Sequence, residues 1–158
     1  MEKRLVVFLL AVMLFSCSSD KDSGIDCMLY DPYFPTLYIK LVDAEGNNLI
    51  ENGTYDIEGM SFENGLSYRV NPASEIEPVG SKIREFDNTV ELGIPNRTNF
   101  TYVIKLSEEE DITLDFTAEL IESVCDIEFT LPKEVVYGDQ LLELREVIPL
   151  QFLVEVKI

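Results

Sequence analysis

The most informative absence in this 158-residue chain is histidine, which does not occur at all. Without histidine the chain cannot form a Ser-His-Asp or Cys-His catalytic arrangement, a histidine-ligated zinc site or a histidine pH switch. Glycine-rich phosphate loops and the Gly-x-Ser-x-Gly and Cys-x-x-Cys motifs are missing as well. The sequence therefore predicts no catalytic residues, no cofactor and a protein that is not an enzyme.

Positive charge is scarce in this chain. Lysine and arginine total 12 against 30 aspartates and glutamates, so the formal net charge is −18. A surface this acidic repels nucleic acid, which we exclude as a partner. The number of carboxylates leaves open an acid pair of the kind that hydrolyses glycosides. We do not favour that pair, because a thin sandwich of this size rarely encloses a sugar cleft.

The apolar run at residues 5–15 is too short to cross a bilayer, which takes about 20 residues in a helix. It follows two basic residues, and this combination is the pattern of a secretory signal. The run ends in Leu-Phe-Ser-Cys, which resembles the lipobox of bacterial lipoproteins. The resemblance implies that residues 1–16 are a signal peptide, that lipid is attached to the thiol of Cys17, and that the lipid bilayer is a partner.

A short polar segment follows the predicted lipidation site. Residues 17–26 are small, polar and acidic, which is typical of a flexible tether. Their Cys-Ser-Ser-Asp start resembles the lipoproteins of Bacteroidetes, in which acidic residues at this place direct export to the cell surface. The resemblance implies a lipid-anchored outer-membrane protein at the cell surface, or otherwise on the periplasmic face. Residues 41–49 resemble the opening hairpin of small surface lipoproteins of that group, whose function is unknown.

Alternation of apolar and polar residues, the pattern of half-buried strands, runs through the rest of the chain. In the first strand it places Leu37, Ile39 and Leu41 on one face. Roughly eight to ten such strands separated by turn residues predict an all-β fold, an antiparallel Ig-like or transthyretin-like β-sandwich over residues 27–158. The predicted strands are 36–42, 54–57, 60–62, 66–70, 82–86, 89–94, 100–106, 112–118, 124–131 and 152–158. Residues 49–50 are expected to begin the return from the first hairpin.

Turn residues predict two hairpins in the first half of the chain. One turns at residues 43–48 and the other at residues 63–65, where asparagine and glycine interrupt the alternation. The segment 124–131 keeps no single phase of alternation, which indicates a bulge. The segment 140–147 fits either a strand or one turn of helix.

Asp43, Glu45 and Asn47 alternate along the first of these turns, as ligands do in a calcium loop. Gly46 falls at the fourth position of this stretch, where an EF-hand needs its glycine at the sixth. The twelfth position is Thr54, where an EF-hand has glutamate. We therefore expect a plain hairpin turn and no metal site, and we retain these three residues as weak calcium candidates.

Four aromatic residues lie before and within the first predicted strand: Tyr30, Tyr33, Phe34 and Tyr38. They are candidates for a surface that binds a partner protein or a glycan, because aromatic rings combine a large contact area with a polar edge. Packing at the edge of the core explains the same residues, and the lack of tryptophan argues against a lectin-like site. Both interpretations stay open.

The cysteine count predicts a disulfide. Of the three cysteines in the chain, lipid is expected to occupy Cys17. This leaves Cys27 and Cys125 as an even pair in an exported protein, where disulfides persist. We predict a bond between them. The alternative is two separate thiols, with the second buried as a small apolar residue.

These features favour a membrane-anchored envelope lipoprotein, a non-enzymatic binding or accessory module at the cell surface. Its partner would be a protein or a glycan. The alternative is a structural or assembly subunit that adds a strand to its neighbours, as components of pilus-like assemblies do. The strong alternation at residues 152–158 motivates this alternative, because an unpaired terminal strand can be donated to another sheet.

Cys17→Ser is expected to abolish lipidation, because serine has no thiol for the diacylglyceryl group. Metabolic labelling with radioactive palmitate should show label in the wild-type protein and none in the variant. Cys27→Ser removes a cysteine outside the lipobox and is the matched control, which should keep its label. Equal label in the wild type and in Cys17→Ser would contradict the lipoprotein assignment.

Overall fold

The computed structural model describes residues 26–63 and 68–158. The predicted signal peptide, Cys17 and all but the last residue of the predicted tether lie outside the described residues. Within the described part of the chain, no helix is long and apolar enough to cross a membrane.

The chain divides into two units, residues 1–31 and residues 32–158. The described part of the first unit is a turn in which the Leu29 amide donates to the Asp26 carbonyl oxygen over 2.9 Å. The described residues of the second unit contain ten strands, which form two five-stranded sheets packed together. The strands are β1 Thr36–Val42, β2 Ser61–Phe62, β3 Tyr68–Asn71, β4 Thr89–Gly93, β5 Asn99–Lys105, β6 Asp111–Glu122, β7 Glu128–Tyr137, β8 Gln140–Leu142, β9 Leu144–Ile148 and β10 Gln151–Lys157.

The first sheet has the strand order β3-β4-β1-β10-β9. β1 and β10 lie in its interior and pair in parallel, from Thr36 opposite Gln151 to Val42 opposite Lys157. Every other strand pair among the described residues is antiparallel. The predicted all-β sandwich is confirmed, and it contains one parallel pair that the expectation of an antiparallel fold did not include.

Alternation along the strands decides which side chains form the core. In β1, Leu37, Ile39 and Leu41 are fully buried on the inner face, as a period of two predicts. The second sheet, β2-β5-β6-β7-β8, covers them with the inner residues of its own strands. Among these, the rings of Phe100 and Phe116 stack with their centroids 5.0 Å apart. The inner side chains of the two sheets thus share one core, to which the second sheet adds this stacked aromatic pair.

The predicted hairpin at residues 60–70 is wrong. β2 pairs with β5 in the second sheet, whereas β3 pairs with β4 in the first sheet. The rings of Phe62 and Tyr68 lie 4.3 Å apart. The two segments therefore meet through side chains that join the edges of the sandwich, and they share no backbone ladder.

Three other segments differ from the sequence-based expectation. Residues 49–57 form turns and the start of a 3-10 helix, because the Asn48 side chain accepts hydrogen bonds from the amides of the next residues and bends the backbone. Residues 82–86 form the 3-10 helix Lys82–Phe86, in which Phe86 is the buried residue, so no alternating face is formed. The ambiguous segment 140–147 belongs to strands β8 and β9.

The expected bulge also lies elsewhere. Residues Val124–Asp126 form a 3-10 turn, and β7 begins only at Glu128. The register of β6 and β7 shifts between Thr117 and Ala118, opposite the later part of β7. The irregular alternation of the predicted segment therefore reflects a turn that precedes the strand.

Both cysteines among the described residues, Cys27 and Cys125, are disulfide-bonded, which confirms the predicted disulfide. Cys125 lies in the turn before β7 with a φ of 63°. Residues other than glycine, asparagine and aspartate rarely adopt this left-handed backbone conformation. The covalent bond is thus attached to a backbone conformation that local preference disfavours.

Leu114→Ala and Leu141→Ala test the described core as a matched pair. Leu114 is fully buried in β6, whereas Leu141 in β8 is 63% exposed. Leu114→Ala should lower the free energy of unfolding by about 2–5 kcal/mol, because it removes buried carbon atoms and leaves a cavity. Leu141→Ala should change the free energy by about 0.5 kcal/mol or less. Urea denaturation measures both, and equal losses would contradict this burial pattern.

Candidate functional site

The outer face of the first sheet carries the features of a binding site. Tyr38, Lys40 and Val42 lie on this face of β1, opposite the core residues with which they alternate. The 3-10 helix Lys82–Phe86 lies over the face, and the Phe86 ring packs against the Tyr38 ring with centroids 4.2 Å apart. This contact separates a polar cleft at one end of β1 from aromatic residues at the other end.

The cleft has a volume of about 950 Å³ and opens to solvent. Lys40 and Val42 of β1 and Glu155 of β10 form its floor. One wall is the loop that follows β1, and the other is the segment between β3 and β4. The wall residues are Gly46, Asn47, Asn48, Glu51 and Asn52 on one side and Ala73, Arg84, Asp87 and Asn88 on the other.

Hydrogen bonds hold both walls in place. The side-chain amide of Asn48 donates to the carbonyl oxygens of Asp87 and Asn88, over 3.4 and 3.0 Å, and so ties one wall to the other. The Asp87 carboxylate accepts from the Ser74 amide over 3.0 Å and from Arg84 Nε over 2.9 Å. A ligand that enters the cleft meets a shape that is already formed, which lowers the entropy cost of binding.

Three side chains of the cleft are uncommitted. Lys40, Glu51 and Asn88 make no side-chain hydrogen bond or ion pair to another described residue. The lysine ammonium offers donors, the glutamate carboxylate offers acceptors and the asparagine amide offers both. The cleft therefore presents uncommitted hydrogen-bonding groups on walls whose other polar contacts are made within the protein.

Asp43 organises the turn that holds the weak calcium candidates. Its carboxylate accepts hydrogen bonds from Asn47 Nδ2 and the Asn47 amide, each over 2.8 Å, and from the Glu45 amide over 3.0 Å. These bonds, chiefly the one from Asn47 Nδ2, hold the pKa of Asp43 below its ordinary value. Among the described residues, no group of three or more acidic or cysteine side chains is placed to hold a metal ion. The Asp43 carboxylate thus stabilises the turn. Of the three calcium candidates, only Asn47 lines the cleft.

The four candidate aromatic residues lie in different surroundings. Tyr38 is buried, and this burial raises the pKa of its phenol to about 12. Tyr33 and Phe34 are about half exposed, and the Tyr33 hydroxyl is hydrogen-bonded to Gln151 Nε2. Tyr30 is half-buried and belongs to the first unit. Tyr38 is therefore a packing residue, and Tyr33 and Phe34 are the exposed aromatic pair of the second unit.

The C-terminal strand β10, which suggested strand donation to a neighbouring protein, is paired on both edges. β10 lies between β1 and β9 in the first sheet. Its residues Phe152, Val154 and Val156 are buried in the core. A strand with two neighbours has no free backbone edge for another sheet. Donation of this segment therefore gains no support from the geometry.

No family model, curated protein or solved structure matches the chain. What the site can do must follow from its own geometry. Sequence reasoning missed the cleft, because it assigned residues 43–48 to a turn and residues 49–50 to the start of a strand. The residues that Asn48 reaches lie 39 and 40 positions further along the chain, so no local pattern connects the two walls. The abundance of asparagine in one loop was the signal available.

Asn48→Ala should lower the free energy of unfolding by about 1–3 kcal/mol, because it leaves buried or half-buried backbone groups without partners. Amide hydrogen exchange at Ile50 and Glu51, which donate to the Asn48 side chain, should become faster. Asn99→Ala is the matched control, since Asn99 is exposed and donates only to the adjacent Thr98 hydroxyl. Unchanged stability and exchange in Asn48→Ala would contradict its role as the tie between the walls.

Proposed function

We propose that this protein is a membrane-anchored envelope lipoprotein that acts as a non-enzymatic binding module at the cell surface. Cys17 is its lipid anchor and the cleft is its ligand site. The observation that carries the proposal is the preformed cleft, in which Asn48 cross-links the walls while Lys40, Glu51 and Asn88 stay uncommitted. Small-ligand sites are concave, usually preformed and equipped with a few polar groups that orient the ligand, and this cleft shares those three features.

The N-terminal sequence supports the anchoring part of the proposal. Its basic start, short apolar run and Cys17 resemble the export signal of bacterial lipoproteins, and an acidic tether follows. The chain as a whole carries a net charge of −18, and this acidic excess repels the protein from anionic lipid. A tethered domain of this charge stands off from the bilayer, where it can meet a ligand.

The composition of the cleft supports binding in place of catalysis. The residues that line it include no serine, cysteine or histidine. The Asp87 carboxylate is occupied by Arg84 and by a backbone amide. Among the cleft residues there is thus no hydroxyl or thiol nucleophile beside a base that would activate it.

The proposal is tested by a ligand screen on the ¹⁵N-labelled full-length protein in detergent micelles. The probes are uncharged oligosaccharides, short peptides, nucleotides and inorganic anions. Binding is expected to shift the amide resonances of residues 40–52 and 84–88 and to leave those of β6 in place. Glu51→Gln should weaken the binding, whereas Glu128→Gln, at the start of β7, should not. Shifts confined to other surfaces, or none with any probe, would contradict the cleft as a ligand site.

A further inference from the structure

The charges of the cleft nearly balance, although the protein as a whole carries −18. The residues that line the cleft include two cations and three carboxylates: Lys40, Arg84, Glu51, Asp87 and Glu155. Arg84 is paired with Asp87 over 2.9 Å, and Glu155 lies 3.7 Å from the guanidinium of Arg145. One lysine and one glutamate of the cleft remain uncommitted. A site this close to neutral attracts neither anions nor cations strongly, and the acidic surface around it repels anionic ligands.

Apolar surface is scarce in the cleft. Val42 and Ala73 are the apolar side chains among the residues that line it, and none of the lining residues is aromatic. Protein interfaces are enriched in aromatic side chains and depleted of charge at their centres. A protein partner therefore finds little to bury here, whereas a ligand that is dense in hydroxyl groups gains polar contacts.

The uncommitted groups match hydroxyl groups. Each hydroxyl donates one hydrogen bond and accepts others. The hydroxyls of an oligosaccharide can therefore accept from the Lys40 ammonium, donate to the Glu51 carboxylate and do both with the Asn88 amide. An inorganic anion satisfies only the donors and a metal cation only the acceptors. The mixture of groups thus favours a polyhydroxylated, uncharged ligand.

We infer that the cleft recognises an uncharged oligosaccharide through Lys40, Glu51 and Asn88. The inference rests on the proposed function, because it names the ligand class of the same site. The volume of about 950 Å³ lies near the upper end of the range of small-ligand sites, about 300–1,000 Å³, and suits several sugar rings. Because hydrogen bonds fix the walls, the site selects among sugars by the positions of their hydroxyl groups.

The test compares hexamers on the full-length protein in micelles. The probes are uncharged hexasaccharides of glucose, mannose or xylose, a galacturonate hexamer and a glycine-serine hexapeptide. At least one uncharged hexasaccharide is expected to shift the amide resonances of residues 40–52 and 84–88. The galacturonate hexamer should bind about tenfold or more weakly at low salt, because the acidic protein repels it.

Variants assign the binding to individual side chains. Lys40→Met and Asn88→Gly should each lower the affinity for the hexasaccharide about tenfold, as expected for one lost hydrogen bond to the ligand. Asn88 has a φ of 52°, which glycine adopts freely, so the loop keeps its conformation. Lys105→Met makes the same charge change on the second sheet and should leave the affinity unchanged. Amide spectra that match the wild type outside the cleft establish that each variant folds.

The possible outcomes separate this inference from the proposed function. Cleft shifts with the hexapeptide and with none of the uncharged hexasaccharides would overturn the sugar inference and leave the cleft a binding site. Sugar-induced shifts at Tyr33 and Phe34 in place of the cleft would also overturn it. An equal loss of affinity in Lys105→Met would count against the named contacts. No cleft shift with any probe would overturn both proposals.

Discussion

The parallel pairing of β1 with β10 is the constraint on which the rest of the structure depends. Both strands lie in the interior of the first sheet, and their inner side chains are buried in the shared core. β4 and β9 pair with the outer edges of the two strands. Most of the buried side chains that the first sheet presents to the second belong to this pair, and Val90 and Leu92 of β4 add the rest. Removal of apolar area from water is the main favourable term in folding. The other elements therefore pack against the apolar surface that these two strands present.

The same two strands also supply the floor of the cleft, because side chains alternate between the faces of a sheet. Lys40 and Glu155 are register partners on the outer face, directly between residues that fill the core. Two loops add the walls, and their hydrogen bonds converge on Asn48 and Asp87. Apolar burial thus fixes the position of the floor and polar contacts fix the walls. The site forms as a by-product of the fold, without need of a ligand.

Local alternation predicted β1, β4, β5, β6 and β10 close to their observed bounds, but it placed β7 too early, because a 3-10 turn occupies Val124–Asp126. The hairpin at 60–70 failed because β2 and β3 pair with distant strands, and the Phe62–Tyr68 contact that joins them is a side-chain contact. The cleft was not predicted because its two walls are distant in sequence and are joined by the hydrogen bonds of the Asn48 side chain. The disulfide followed from counting cysteines, which needs no geometry. The predicted segments that match β1, β5, β6 and β10 are 36–42, 100–106, 112–118 and 152–158.

Thr36 pairs with Gln151, so nearly the whole described sandwich has to be synthesised before its first sheet can close. Topologies dominated by such distant contacts fold slowly, in about milliseconds to seconds, and a ribosome adds only about 5–20 residues per second. During synthesis the growing chain therefore lacks a completed core. For a sandwich that folds where it is made, this delay is a period of exposure to aggregation. For a polypeptide that is threaded through a secretion channel, it preserves the extended state that passage requires and postpones folding to the far side.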